Sequence, residues 1–315
     1  MLVHFWGVRG SIPTPITQTQ VQNKIAAVVQ RISAKDIESE DARMKFISNL
    51  PDWIFGTVGG NTACIEVRSD SGETFILDMG SGLRAYAKQG PIPKNKHYTI
   101  LQSHYHWDHI QGLPFFDPIF DPDASIDLYS EFPAAERILA EQNRIPYFPE
   151  NASWENVKDR FKFHLIKPDE YFEVAGVKIK SHKMHHPGNS YTFSLEEGNK
   201  KFVYATDVEL QPKDFNFDDP KNDIFKNVDV MVLDSQYTAP EAISKVNWGH
   251  SSYSHAVDFA ELYRVKNLYF FHHEPTYDDQ KIYKILQSAK WYYESKNSNS
   301  GLKINLAIEG QEVVL

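Results

Sequence analysis

The sequence predicts an α/β chain in which two β-sheets pack together with helices outside. Three observations lead there. Short runs rich in Val, Ile, Phe and Tyr recur along the 315 residues, helical periodicity interrupts them, and no clean linker cuts the chain, so 1–315 reads as one domain. The strand-like runs are Leu2–Val8, Ala63–Arg68, Thr74–Met79, Tyr98–Ser103, Ile126–Tyr129, Val177–Lys183, Tyr191–Leu195, Lys201–Ala205, Val228–Leu233, Leu268–Phe271 and Lys303–Ile308. Val21, Ile25, Val28 and Ile32 recur at intervals of three or four and predict a helix over Val21–Ile32. Similar patterns cover Ala134–Gln142, Ser252–Tyr263 and Asp279–Tyr293.

Residues 16–55 stand apart as a helical insertion. They are polar and of mixed charge, and they separate GVRGSIPTP from TVGGNTACIEV. Two readings fit: a lid or dimerisation arm, or a surface insertion without a role.

Composition bounds the function. With 41% hydrophobic and 24% charged residues the chain can bury a large core. A net charge of -9 argues against general nucleic-acid binding, which needs a basic footprint. It leaves room for a small anionic substrate, because a pair of divalent cations supplies local positive charge. Cys64 is the one cysteine, so no disulfide forms within the chain, in keeping with a reducing compartment. The start MLVHFWGVRGS lacks a basic segment followed by a long apolar stretch, and no apolar run is long enough to span a bilayer. A cytoplasmic protein without a membrane partner is expected.

The most telling run is SHYHWDHIQG, with His104, His106, Asp108 and His109. Their spacing does not fall on one helix face. The preceding Tyr98–Ser103 reads as a buried strand, so these side chains leave a strand end on a tight loop and alternate ones can reach two neighbouring ions. Imidazole and carboxylate without thiolate suit zinc, manganese or iron. Further donors sit at later strand ends. His185 and His186 are adjacent, and in extended chain only one faces the site; His186, forced into a turn by Pro187-Gly188, is favoured. Asp207 ends VYATD, where a carboxylate can bridge two cations or merely cap a turn. His272 and His273 follow LYFF, and again one should face inward. His250 precedes a helix that Ser251 or Ser252 could cap, and could donate to a phosphate or leaving oxygen. His4, His97, His164, His182 and His255 lack such settings and read as structural or exposed.

Taken together, FWGVRGSIPTP, GGNTACIEV, ILDMGSGLR, SHYHWDHIQGLPFF, HHPG, VYATD, WGHSS and FFHHEP resemble the metallo-β-lactamase superfamily, in particular its phosphodiesterase branch, which includes RNase Z and the phosphoribosyl cyclic phosphodiesterases. The resemblance covers nearly the whole chain outside 16–55. It implies a four-layer αββα sandwich with two divalent metal ions at one edge. His104, His106 and His186 would hold one ion, Asp108, His109 and His272 the other, and Asp207 would bridge them. Asp78 would support the ligands from behind. Asp108 and His250 would be catalytic, and Arg9, Ser11 and Asn61 would lie near the substrate.

The implied chemistry is hydrolysis of a small, cyclic phosphodiester, a cyclic nucleotide or phosphoribosyl cyclic phosphate, by a water that two ions about 3.5–4 Å apart make acidic. Relatives also suggest a homodimer. The rivals are tRNA 3′-end processing, a lactonase or thioesterase, and a non-catalytic binding protein. Against the first stands the absence of a basic, Gly-rich arm; against the last, a complete ligand set.

Overall fold

The computed structural model describes residues 1–296 and 300–315. The first half of the chain supplies β1 (Leu2–Gly7), β2 (Cys64–Arg68), β3 (Thr74–Leu77), β4 (His97–Leu101), β5 (Ser125–Ser130) and β6 (Phe161–Leu165). The second supplies β7 (Tyr171–Val174), β8 (Val177–Met184), β9 (Ser190–Glu197), β10 (Lys200–Ala205), β11 (Val230–Asp234), β12 (Asn267–Phe271) and β13 (Lys303–Leu306), and β14 (Glu312–Val314) returns to the first. The two sheets have strand orders β14-β1-β2-β3-β4-β5-β6 and β13-β12-β11-β10-β9-β8-β7. In each, antiparallel pairing gives way to parallel pairing, at β3–β4 and at β10–β11.

Parallel neighbours need crossovers, and helices provide them. The crossovers carry α4 (Gly82–Gln89), α5 (Trp107–Ile110), α6 (Ala135–Gln142), α7 (Trp154–Val157), α8 (Ala239–Ser244), α9 (Tyr253–Leu262) and α10 (Asp279–Ser295), whereas α1 (Gln18–Val29), α2 (Glu40–Ser48) and α3 (Asp52–Phe55) form the insertion between antiparallel β1 and β2.

Strand alternation splits the apolar side chains into layers. On β10, Phe202 and Tyr204 point into the core between the sheets, with Phe5, Val67, Phe75 and Phe193. Val203 and Ala205 point the other way, onto Val257, Phe259 and Ile282 of α9 and α10. On the first sheet Ile76 and Ile100 face outward to Leu83 and Tyr86 of α4 and Leu139 of α6. The result is an αββα sandwich. Truncating one of its fully buried aromatics, such as Phe202, would cost about 3–5 kcal/mol.

All eleven expected runs are strands, with ends displaced by a residue or two. Three strands escaped the sequence pattern: β6, β7 and β14 are half-exposed, and their polar residues blur the alternation. Helix α4 was missed because it is short and closely bracketed by glycines. Residues 16–55 are helical as expected, and α1 starts with a capping box between Thr17 and Gln20.

Candidate metal centre

The parallel strands deliver their carboxyl ends to one edge of the sandwich, the usual place for a site in such sheets. Beyond β4, Gln102 Nε2 donates to the carbonyls of His104 and His109, pinning the loop to the turn. His104 and His106 thus lie on extended chain, and Asp108 and His109 on the single turn of α5, for which His106 is the N-cap. Asp78 follows β3, Asp207 follows β10 and His272 follows β12, with φ of 63°, 49° and 60°. Left-handed backbone at non-glycine residues costs of order 1 kcal/mol or more each and collects at functional sites, where surrounding structure enforces it.

The donor atoms converge. Asp207 Oδ2 lies 3.5 Å from His104 Nε2 and 3.6 Å from His186 Nε2, which is 3.1 Å from His106 Nδ1. Asp207 Oδ1 lies 3.0 Å from His109 Nε2 and 3.2 Å from His272 Nε2. Asp108 Oδ2 is 3.3 Å and 3.1 Å from those same two nitrogens. One carboxylate therefore faces two donor groups, one oxygen to each. The groups His104–His106–His186–Asp207 and Asp108–His109–His272 each keep their donor atoms within 4.8 Å of one another.

Hydrogen bonds fix which ring nitrogens point inward. His109 Nδ1–H donates to Asp78 Oδ2 at 2.7 Å, His272 Nδ1–H to Gln236 Oε1 at 2.9 Å, and His186 Nδ1–H to the Gly249 carbonyl at 2.9 Å. Ser103 gives its hydroxyl hydrogen to Asp78, so His104 Nδ1–H donates to Ser103 Oγ at 3.0 Å. Each leaves an Nε2 lone pair facing the centre, and buried His104 Nε2 has no hydrogen-bond partner. Among the described residues no Lys or Arg ion pair neutralises Asp108 or Asp207.

Protonation resolves this crowd of acceptors at one ring only: burial opposes charge on His109, but Asp207, Asp108 and Asp78 raise its pKa well above the ordinary imidazole value. Burial pushes the pKa of His104 well below the ordinary imidazole value, with His109 repelling further charge, and burial lowers His106 and His186 too. Burial also opposes charge on Asp207, but His109, His272 and His104 hold its pKa well below the carboxylate range. Lone pairs that resist protons around an ionised carboxylate fit divalent cations, with oxygen and nitrogen donors only.

His250 sits at the rim. Its ring stacks on His272 at 4.9 Å and lies 5.3 Å from His186. Its Nδ1 contacts Asp234 Oδ2 at 2.7 Å. Burial disfavours its charge, but Asp234, with Asp207 and Asp108 behind it, overcomes this and its pKa is pushed up to about 9.

The other expectations divide. His185 is exposed while His186 is buried, and His273 points away to donate to the Ala307 carbonyl at 2.9 Å. Asp78 accepts from Ser103 N, Ser103 Oγ, His109 and Tyr204, all at 2.7–2.8 Å. Ser11 meets the site through its backbone, donating N–H to Asp108 Oδ2 at 2.7 Å, not through its hydroxyl. Asn61 is tied to Glu309 and Ser81. Arg9 does not face a substrate: it is 3% exposed and donates to the carbonyls of Gly59, Glu274 and Tyr277. The resemblance placed it near the substrate, but its partners are backbone oxygens.

The sequence reading overlooked Asp234 and Gln236. Asp234 closes VMVLD as Asp78 closes ILD and Asp207 closes ATD, so the recurrent strand-end aspartate was the signal.

Two stacked mixed sheets with a His/Asp cluster at one edge define the metallo-hydrolase class of α/β sandwich. The profile of the beta-lactamase superfamily domain matches residues 74–273, and the chain belongs to that superfamily. Solved structures share the fold. The metallo-β-lactamase fold protein YhfI from Bacillus subtilis superposes with TM-score 0.63 at 17% identity, covering 99% of this chain and 98% of its own. A diphosphatase of the PhnP family gives 0.61 at 18%, covering 99% and 96%. The short form of human tRNase Z gives 0.58 at 15%, covering 100% and 99%. No curated protein matches the sequence.

Proposed function

We propose that the chain is a binuclear metal-dependent phosphodiesterase acting on a small, cyclic phosphodiester such as a cyclic nucleotide or phosphoribosyl cyclic phosphate. The observation that carries the reading is the placement of Asp207, one oxygen toward each donor group, with His250 at the rim held by Asp234. Zinc, manganese or iron ions held by these groups would supply Lewis acidity and a water of lowered pKa. Asp78 and Gln236 orient the ligating rings, as carboxylate and amide partners of such rings do. His250, poised by Asp234, donates its Nε2–H to a phosphoryl oxygen or to the departing alkoxide. Asp108 steadies the attacking water.

The superfamily's diphosphatase and tRNase Z members support phosphoester chemistry. The chain's net charge of -9 favours a small substrate over tRNA. No described helix is long and apolar enough to cross a membrane, and a cytoplasmic setting is part of the same proposal.

The test is turnover of bis(p-nitrophenyl) phosphate and of cyclic nucleotides by chain loaded with zinc or manganese, with metal content measured. Two ions per chain and phosphodiester hydrolysis are expected, lost in His106→Ala and Asp108→Ala. His250→Ala should keep its metal and lose roughly 10²–10⁴-fold in kcat. Hydrolysis of a lactone or thioester with no phosphodiester turnover would overturn the proposal.

A further inference from the structure

The loop that carries His250 holds a large apolar ring in the open. Trp248 is 64% exposed, whereas Trp6 and Trp154 are buried and each packs on two other rings. Among the described residues no aromatic ring packs on Trp248; the Lys245 ammonium stands 5.7 Å from its ring centroid.

The exposure is not looseness. Trp248 is bracketed by Asn247 and Gly249, whose φ values of 67° and 87° lie in the left-handed region. One side chain enforces that turn: Glu209 Oε1 accepts the Asn247 N–H at 3.1 Å and Oε2 the Gly249 N–H at 3.0 Å. Trp248 N–H donates to the Lys245 carbonyl at 3.1 Å. An aromatic on so tied a backbone loses little further freedom when a ligand packs on it.

The same loop touches the metal centre. The Gly249 carbonyl accepts His186 Nδ1–H at 2.9 Å, and a Cβ at Gly249 would lie 2.2 Å from that nitrogen. The Lys245 ammonium lies 4.1 Å from the Tyr237 ring centroid, and Tyr237 packs edge-on against His250 at 5.8 Å. Glu209 stands two residues after Asp207 and donates its N–H to the His185 carbonyl at 2.9 Å, so the clamp is anchored to two ligand-bearing segments. Trp248 is therefore one residue from the His186 contact and two from His250, at the rim of the site.

We propose that Trp248 is a specificity residue whose ring packs against a flat organic group carried by the substrate phosphoester, with Glu209 as the positioning residue that presents it. The inference rests on the phosphodiesterase reading and deepens it. Of the two substrate types, a planar base gains more from such a contact than a bare sugar does.

The test is calorimetric titration of the metal-loaded chain with phenyl phosphate and with methyl phosphate, monoesters that differ in the ring. Phenyl phosphate should bind about tenfold more tightly. In Trp248→Ala the gap should close to within about twofold, and in Trp248→Phe a gap above about threefold should remain. Glu209→Ala keeps the ring but frees its backbone, and should narrow the gap to about threefold or less, with methyl phosphate binding held within about twofold. Equal affinities in the unmodified chain, or a gap that survives Trp248→Ala, would overturn the proposal; a full gap in Glu209→Ala would overturn the positioning role. A failed phosphodiesterase reading would show separately, as absent turnover of bis(p-nitrophenyl) phosphate, because the binding gap does not depend on catalysis.

Discussion

At the metal edge, His104, His109, Asp207 and His272 are at most 1% exposed and polar; across residues 16–55 only Ala27 and Ile54 are buried, while Val21, Ile25 and Val29 stand 41%, 58% and 64% exposed. The two regions invert the usual rule of apolar inside and polar outside. At the edge the buried rings of His104, His109, His186 and His272 are each held from behind by a specific acceptor, because an unpaired buried polar group costs several kcal/mol. The insertion is held by few ties. Lys24 reaches the Trp53 and Gly56 carbonyls and Asp279, and Asp279 in turn accepts from Val58 N and Thr57 Oγ1. Buried polarity therefore marks where geometry is over-determined, and exposed apolar surface marks where the fold asks little of the sequence.

The sharpest test of that contrast is Asp207→Asn. Losing the shared carboxylate charge should empty both donor groups and take kcat to background, with metal content and turnover as readouts. Two retained ions would break the picture of a shared bridge. Next in size is Asp78→Asn, which puts an amide where four donors need an acceptor and should cost about 2–4 kcal/mol in denaturant unfolding. A cost near zero would mean that the rings do not need their backing.

On the insertion, Val21→Gln with Ile25→Gln and Val29→Gln should move stability by no more than about 0.5 kcal/mol per site. A larger loss, or a fall in the mass seen by sedimentation, would show that the stripe is covered in solution and that 16–55 is a dimerisation arm. The last test, of pH dependence, lies at Glu131, remote from this contrast. Burial lifts its carboxyl pKa to about 7, with Asp169 and Glu170 adding and the Ser181 hydroxyl opposing. A raised folded value means that its contribution is complete below the unfolded pKa of about 4.5 and is lost as pH rises toward about 7. Thermal unfolding across that window should flatten in Glu131→Gln, by roughly 1–2 kcal/mol after allowing for partial exposure.

Much of this was legible in the chain. His104 to His109 announce themselves because their spacing survives in one loop. His186, Asp207 and His272 could be found because each ends an apolar strand, two of them before a proline-marked turn. Asp78 was legible only through resemblance, since a strand-end aspartate looks alike whether it caps a turn or backs a ligand. Arg9 misled because its partners, Gly59, Glu274 and Tyr277, lie far away in sequence. The apolar stripe of α1 misled differently: periodicity reports a helix, not which side of it the rest of the molecule covers.

The donor groups draw on both sheets. His104, His106, Asp108 and His109 come from the end of β4, whereas His186, Asp207 and His272 come from β8, β10 and β12. Neither half of the chain can complete a pair of sites alone. Ions held there would act as a clasp across the sandwich, fastened only after His272 has arrived and the halves have docked. Uptake of metal at both donor groups would then report that a newly made molecule has finished assembling.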